Sequence, residues 1–408
     1  MFIRDVKPKI IKDSRGEKTI KVEIKTYKGK FSASAPSGKS KGKHEVPDYN
    51  ERGINYSLRI LKIFAEKIKY KNFMIKNFEG LKNFENLIKK FEHRYGNLGA
   101  NCIYALETCF LKAAAKENRK ELWEFITDKK KPKMPVPVGN CIGGGLHSSG
   151  KKPDFQEFLL IPKEKTFSKN VTKMILAYEF AKKLIKKNEK KWRVKRNDEG
   201  AWMTNLRNED VLEILFQVSK KFKVRIGIDA ASSEFYERGF YHYKNKELLR
   251  DREEQIDYML RLIEKYNLFY IEDGLQQEDF SGFKILLKKA NLLRKSSAKK
   301  KPSILIVGDD LTTTNPARVS KAIAEKAINA VIIKPNQIGS LLEVKKVVDL
   351  CKKHNIQMIF SHRSGETIDN ALADFAVGFG ADFIKCGIFG RERLAKLGRI
   401  MAIERSLQ

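Results

Sequence analysis

Six short apolar runs recur between residues 223 and 387, and each ends on a polar or charged side chain. The runs at 223–228, 268–271, 304–308, 331–333, 358–361 and 382–384 lead into Asp229, Glu272, Asp309, Lys334, His362 and Lys385. Continuous apolar runs, rather than alternation, predict parallel strands buried on both faces, and the amphipathic spacers between them predict covering helices. One spacer opens Asn315-Pro-Ala-Arg, which places Asn315 as N-cap and Pro316 at the first helical position. All six polar residues end different strands. A closed α/β barrel gathers such ends around one mouth, whereas an open sheet would concentrate ligand groups at a switch point behind a glycine-rich turn.

Residues 1–128 are patterned differently. Strand-like segments at 19–25 and 30–35 flank Tyr27-Lys-Gly, predicting a hairpin, and helical periodicity follows at 58–68, 78–94 and 103–116. The last of these is strongly apolar (Ile103, Leu106, Phe110, Leu111, Ala114), so it is expected to pack against its own domain and a neighbour at once. The pattern predicts an α+β cap domain over 1–128, a charged, proline-punctuated linker at 129–137 and a barrel over 138–408. Within the cap, residues 35–45 read as a mobile polar lid suited to closing over an anion. Its Gly38-Lys39-Ser40 is no P-loop, because Ala33 stands five residues before Gly38 where that motif needs glycine.

Of the 408 residues, 42% are hydrophobic, enough for a full core, and no run approaches the roughly 18 apolar residues of a membrane span. Met1-Phe-Ile-Arg-Asp-Val-Lys does not resemble a signal peptide, so a cytoplasmic location is expected. Five scattered cysteines, with no CxxC, read as small core residues. The formal charge of +32 raises the question of nucleic acid. Its basic clusters at 129–133, 182–196 and 299–301 lack aromatic interleaving and any reader motif, so they read as solvated surface capable of non-specific attraction only.

Three carboxylates from successive strands, Asp229, Glu272 and Asp309, would repel one another at a shared mouth without a cation, and hard oxygens with open positions suit Mg²⁺. Lys334 and Lys385 place two amines across that mouth; a second lysine and a divalent cation lower a lysine's pKa toward base function. This suggests removal of a carbon-bound proton beside a carboxylate. Glu157, entering a strand after Gln156, and Glu199, in Asp198-Glu199-Gly200, are candidates for the acid that protonates a leaving group. Arg363 and Ser364 suit a phosphate or carboxylate. His147 follows three glycines that permit close backbone approach. The set fits a lyase acting on a phosphorylated hydroxy acid.

Read together, the motifs resemble those of the enolase family, in particular its archaeal branch. They are Asp13-Ser-Arg-Gly16, Pro36-Ser-Gly-Lys-Ser40, Gly143-Gly-Gly-Leu-His147, Gln156-Glu157-Phe158, Asp198-Glu199-Gly200, Ile226-Gly-Ile-Asp229, Ala231-Ser-Ser-Glu-Phe235, Ile271-Glu272-Asp273, Gly308-Asp309-Asp310, Lys334-Pro-Asn-Gln-Ile-Gly339, Ser361-His-Arg-Ser-Gly-Glu366 and Arg393-Leu-Ala-Lys396. They span nearly the whole chain. The resemblance implies a ββαα(βα)₆ barrel behind an α+β cap, and reversible dehydration of 2-phosphoglycerate to phosphoenolpyruvate in glycolysis and gluconeogenesis. It implies one Mg²⁺ on Asp229, Glu272 and Asp309, and a second, arriving with substrate, placed with the help of Ser40. It further implies Lys334 as the base at C2, Glu199 as the acid at the C3 hydroxyl supported by Glu157, and Lys385 at the substrate carboxylate. Arg363 and Ser364 are implied at the phosphate, with His147, Gln156 and His362 lining the pocket, and a homodimer or higher homo-oligomer is expected.

The chain also departs from the family pattern. Lys39, Lys41 and Lys43 occupy lid positions that are usually small or apolar, Gly274 stands for proline, Asn197 for glycine, Met203-Thr204 for Ala-Pro, and Ile388-Phe389 for small residues. Lys21 and Ala402 remove both halves of an expected dimer bridge. Two other readings compete with an active enolase: a diverged paralogue working as a polyanion-binding scaffold, and a dehydratase of another hydroxy acid.

Overall fold

A computed structural model describes every residue except Asp128, Lys246 and residues 296–302. The last residue assigned to the cap and the basic cluster at 299–301 therefore lie outside the described residues.

The chain opens with an antiparallel sheet, β1 (Asp5–Lys12), β2 (Lys18–Thr26) and β3 (Gly29–Ser34), in that order. Helices α1 (Ile54–Ile68), α2 (Leu81–Tyr95), α3 (Ala100–Glu117) and α4 (Leu122–Ile126) follow. Strand β3 runs directly into the lid, which is why a sheet built away from the barrel can deliver a loop onto its mouth.

The six apolar runs fold as expected into parallel strands: β7 (Arg225–Asp229), β11 (Tyr270–Glu272), β12 (Leu305–Gly308), β13 (Ala330–Ile333), β14 (Gln357–Ser361) and β15 (Phe383–Lys385). Two earlier strands, β4 (Val136–Gly143) and β5 (Glu157–Ile161), complete an eight-strand ring that closes where Phe383 pairs with Val136 and Lys385 with Val138. A short β6 (Trp202–Met203) hangs on β4 outside it. Strand β5 runs antiparallel to both neighbours, so its first residue faces the mouth: Glu157 pairs with Gly143 on one side and Asp229 on the other. Between β7 and β11 lies a small antiparallel sheet, β8 (Tyr236–Glu237), β9 (Phe240–Tyr243) and β10 (Leu248–Arg250), that the apolar pattern did not announce.

Helices α5 (Phe167–Asn188), α6 (Asn208–Phe222), α7 (Arg252–Tyr266), α8 (Phe280–Lys295), α9 (Pro316–Ala324), α10 (Leu341–His354), α11 (Ala371–Gly378) and α12 (Arg391–Ser406) surround the ring. Asn315 caps α9 as expected, its side chain accepting from the amides of Ala317 and Arg318, with Pro316 first in the helix. Val138, Leu159, Tyr270, Val307, Ile332 and Ile359 belong to a separate core inside the ring, and the larger core lies between ring, helices and cap. All five cysteines are buried and free.

Helix α3 joins the two parts, as its apolar surface suggested. Its Tyr104 ring meets Phe375 edge-on at 6.4 Å, and its fully buried Glu107 accepts from the amide of Leu341 at 2.8 Å, at the N-terminus of α10. Ser340, the N-cap of α10, donates to Glu85 at 2.8 Å. Burial and the nearby Glu85 push the Glu107 carboxyl well above its ordinary range. A carboxyl raised by folding contributes stability below its unfolded pKa and loses that contribution as pH rises. Glu107→Gln keeps the acceptor for Leu341 and removes the ionisation. The variant is expected to gain about 1 kcal/mol at neutral pH, shrinking to nothing near pH 4, as read from urea midpoints across that range.

Candidate active site

With the lid folded down, the mouth of the barrel encloses a polar cavity of ≈ 20 Å³. Ser40, His147, Gln156, Glu157, Glu199, Asp229, Asp309, Lys334, His362, Arg363, Ser364 and Lys385 all line it. Glu272 sits just beneath, fully buried, joined to the cavity through Lys385.

One wall is built from strand ends. The Lys385 ammonium donates to Asp229 and Glu272, each at 2.8 Å, and lies 3.3 Å from Glu157. The Tyr270 hydroxyl donates to the other oxygen of Glu272 at 2.5 Å. The Lys334 ammonium pairs with Asp309. Burial and the repulsion of Asp229 and Asp309 push the Glu272 carboxyl up to about 8, against the pull of Lys385. Burial works to lower both lysines, but Asp309 and Glu272 together outweigh it at Lys334, and Asp229, Glu157 and Glu272 together outweigh it at Lys385, so both ammoniums are held above their ordinary range.

Asp273, Asp309 and Asp310 form a close carboxyl cluster, with one oxygen of each within 4.8 Å of the others. Asp273 accepts from the amides of Asp309 at 3.0 Å and Asp310 at 2.7 Å, so it fixes the loop that presents Asp309. Burial and Asp309 push the Asp310 carboxyl up to about 8. Both acids stand next to a residue named from the sequence, and the doubled acid at each strand end was the signal for them. Six cavity-lining carboxyls (Glu157, Glu199, Asp229, Asp273, Asp309, Asp310) face three cations (Lys334, Arg363, Lys385). That surplus of buried hard oxygen donors suits a divalent cation such as Mg²⁺; of the expected ligands, Asp309 belongs to the close carboxyl cluster, while Asp229 and Glu272 do not join it and share the Lys385 ammonium instead.

The opposite wall joins residues of β4 and β5 to irregular segments. One ligand atom each of His147, Glu157 and Glu199 lies within 4.8 Å of the others. The Asn140 amide donates to Glu199 at 3.0 Å, and imidazole nitrogens of His147 and His362 approach it at 3.5 and 3.6 Å. Asn197, standing where glycine was expected, builds the turn with its side chain, which accepts from the amides of Glu199 and Ala201, each at 3.0 Å. Burial opposes ionisation of Glu199, but the two imidazoles and Arg393 outweigh it and hold the carboxyl well below its ordinary range. The same burial lowers both imidazoles. Burial and Glu199 together push the Glu157 carboxyl well above its ordinary range despite Lys385.

Arg363 and Ser364 form a third patch with donors to spare. Arg363 Nη2 donates to both oxygens of Glu45 at 3.0 Å, and Nη1 donates to Asn336 at 3.2 Å. A guanidinium has five N–H groups, so the Nε side of the fork is left for a further acceptor. The Ser364 hydroxyl oxygen accepts from the Lys39 amide at 2.9 Å and from Arg15 at 3.3 Å. Two donors on that oxygen leave its own proton to point at an anion. Glu45 is the lid's one carboxylate; only the folded lid shows that it holds Arg363.

The lid closes by short range contacts rather than apolar packing. Ser37 and Gly365 exchange two backbone hydrogen bonds of 2.7 and 2.8 Å. Gly38 lies so near Arg363 that a Cβ there would sit 1.9 Å from Nη2, which explains glycine at that position. Ser40, expected near metal, donates to Glu234 at 2.5 Å while bordering the cavity. Among the departures, Ile388 packs over Gly139, and Phe389 carries the Arg196 guanidinium 3.7 Å from its ring centre.

Two family models match the chain end to end: "Enolase, N-terminal domain" over residues 3–126 and "Enolase, C-terminal TIM barrel domain" over residues 131–408. A protein named Enolase from Methanosphaera stadtmanae is 36% identical over 99% of this chain and 97% of its own length. Enolases of Picrophilus torridus and Thermoplasma acidophilum are 35% and 34% identical, covering 99% of this chain and 99% and 98% of theirs. No described helix is long and apolar enough to cross a membrane. A barrel with an inverted second strand, a strand-fed lid and this full-length likeness to archaeal relatives have one common reading: the chain belongs to the enolase family of carbon–oxygen lyases, in its archaeal branch.

Proposed function

We propose that this site reversibly dehydrates 2-phosphoglycerate to phosphoenolpyruvate with Mg²⁺. The observation that carries the reading is the placing of base and acid across one ring. Lys334 follows β13 and Glu157 begins β5, and these strands are four apart in either direction around eight. Glu199 stands beside Glu157. A substrate held between them meets an amine on one face and two carboxyl groups on the other.

Asp229, Glu272 and Asp309 would hold the metal, and Ser40 would assist a second ion arriving with substrate. Bound there, Mg²⁺ supplies positive charge that offsets the charge developing on the substrate carboxylate. Asp309 is the carboxylate that keeps Lys334 protonated and would be drawn to the cation, while Arg363 and Lys385 both work to lower Lys334. Its Nζ then accepts the C2 proton, the C2–C3 double bond forms, and the C3 oxygen leaves as water with a proton that Glu199 passes on from Glu157. Lys385 holds the substrate carboxylate, Gln156 borders it, and Arg363 with Ser364 receives the phosphate. The spare donors of the last two disfavour a substrate without phosphate.

Purified protein, 2-phosphoglycerate and Mg²⁺ are expected to give phosphoenolpyruvate, followed by ultraviolet absorbance, and Glu199→Gln is expected to lower the rate by about 10²- to 10⁴-fold. Well-folded protein without turnover would instead favour the scaffold reading.

A further inference from the structure

A single lid residue touches both halves of the site. The backbone amide of Lys39 donates to the Ser364 hydroxyl at 2.9 Å, and its ammonium donates to the Asp198 carboxylate at 2.9 Å. Asp198 immediately precedes Glu199. From below, buried Arg393 donates to the carbonyls of Asp198 at 3.2 Å and Ser364 at 2.7 Å, so the anion patch and the acid-bearing loop are already tied together. Lys39 ties them a second time from above. The lid's other polar contacts do not reach the loop of Glu199: Glu45 holds Arg363, Ser37 pairs with Gly365, the Ser40 hydroxyl reaches Glu234, the Lys43 amide donates to Gln277, and His44 pairs with Glu278. Among the described residues, Lys39 makes the lid's one ion pair to the loop carrying Glu199. It is also one of the positions where this chain departs from the small lid residues of the family pattern.

We propose that the Lys39–Asp198 ion pair is a clasp coupling lid closure to the placement of Glu199, which makes Lys39 a positioning residue. The inference rests on the reaction proposed above. Closing over an anion brings the Lys39 amide to Ser364, and the same residue then carries its ammonium to Asp198. That contact steadies the outer edge of a loop whose inner edge is fixed by Arg393, and so holds Glu199 against Asn140. Both partners are partly exposed, at 43% and 31%, so the clasp weakens with salt.

The test compares wild type with Lys39→Ala, Asp198→Ala, the double variant and Lys39→Arg. Rates with 2-phosphoglycerate are taken across salt, and cutting after Lys41 and Lys43 by a lysine-specific protease is followed with and without inorganic phosphate. Each single alanine variant is expected to lose about threefold, mostly in kcat, as suits a partly exposed pair, and the double variant is expected to be no worse than either single. Lys39→Arg should restore the rate, the advantage of wild type should fade with salt, and phosphate should protect the lid of wild type more than that of Lys39→Ala. Additive losses, a wild-type advantage indifferent to salt, or equal protection would overturn the clasp. If no form turns over 2-phosphoglycerate but phosphate protection still depends on Lys39, the clasp stands and the substrate reading falls.

Discussion

Lys334→Ala is expected to cut turnover of 2-phosphoglycerate by about 10²- to 10⁴-fold, the range of a positioned general base, with little change in the protein's unfolding midpoint. The fold should survive because Asp309, which loses its ammonium partner, still accepts from the Gln337 amide at 3.2 Å and can take a divalent cation. The informative measurement is isotopic. In deuterated water, 2-phosphoglycerate is expected to exchange its C2 hydrogen on the wild-type protein and on Glu199→Gln, whose base is intact, and to retain it on Lys334→Ala. Equal exchange on Lys334→Ala would move the base elsewhere. The obvious alternative is Lys385, the other amine at the mouth, but its three carboxylate neighbours Asp229, Glu272 and Glu157 hold it charged more firmly than Asp309 holds Lys334.

The legibility of this site in the sequence has a geometric cause. A parallel strand buried on both faces must be apolar until it leaves the ring, so the first polar side chain marks the mouth, and Asp229, Glu272, Asp309, Lys334, His362 and Lys385 were found that way. The same logic fails for β5. Its run from Phe158 to Ile161 looks alike in either direction, and only its pairing with β4 through residues 144–156 reverses it and brings Glu157, the first residue, to the mouth. The small sheet of β8 to β10 escaped because its strands are two to four residues long. Too few residues alternate there to show a period.

Partnerships across long sequence distance were not legible at all. Glu45 and Arg363 are 318 residues apart, and Lys39 and Asp198 are 159 apart. Their charges alone do not say which meets which. Glu107 is a similar case: an acid within an apolar helix reads as a polar interruption, and only the docking of α10 shows that it receives an amide at that helix's start. Asn197 shows the converse, a departure from the family pattern that looked like a loss and supplies the turn with side-chain acceptors instead.

Lys385→Met is expected to cost both activity and stability, and the second effect isolates the electrostatics of the site. The lysine is fully enclosed, and its ammonium is the shared partner of Asp229 and Glu272 at 2.8 Å and Glu157 at 3.3 Å. Methionine fills a similar volume without charge, leaving three buried carboxyls with no ammonium between them. Removing one partner of a buried pair typically costs about 3–5 kcal/mol, and the urea midpoint of the metal-free variant should fall accordingly with an unchanged slope. A ligand that binds only the folded state restores stability in proportion to its affinity, and carboxylates released from Lys385 are better placed to hold a cation. Added Mg²⁺ is therefore expected to raise the midpoint of Lys385→Met more than that of wild type, while turnover stays lost because the substrate carboxylate has no amine to meet. If Mg²⁺ shifted both proteins equally, Asp229 and Glu272 would not belong to its site, and the cation would have to be sought at the Asp273, Asp309 and Asp310 cluster instead.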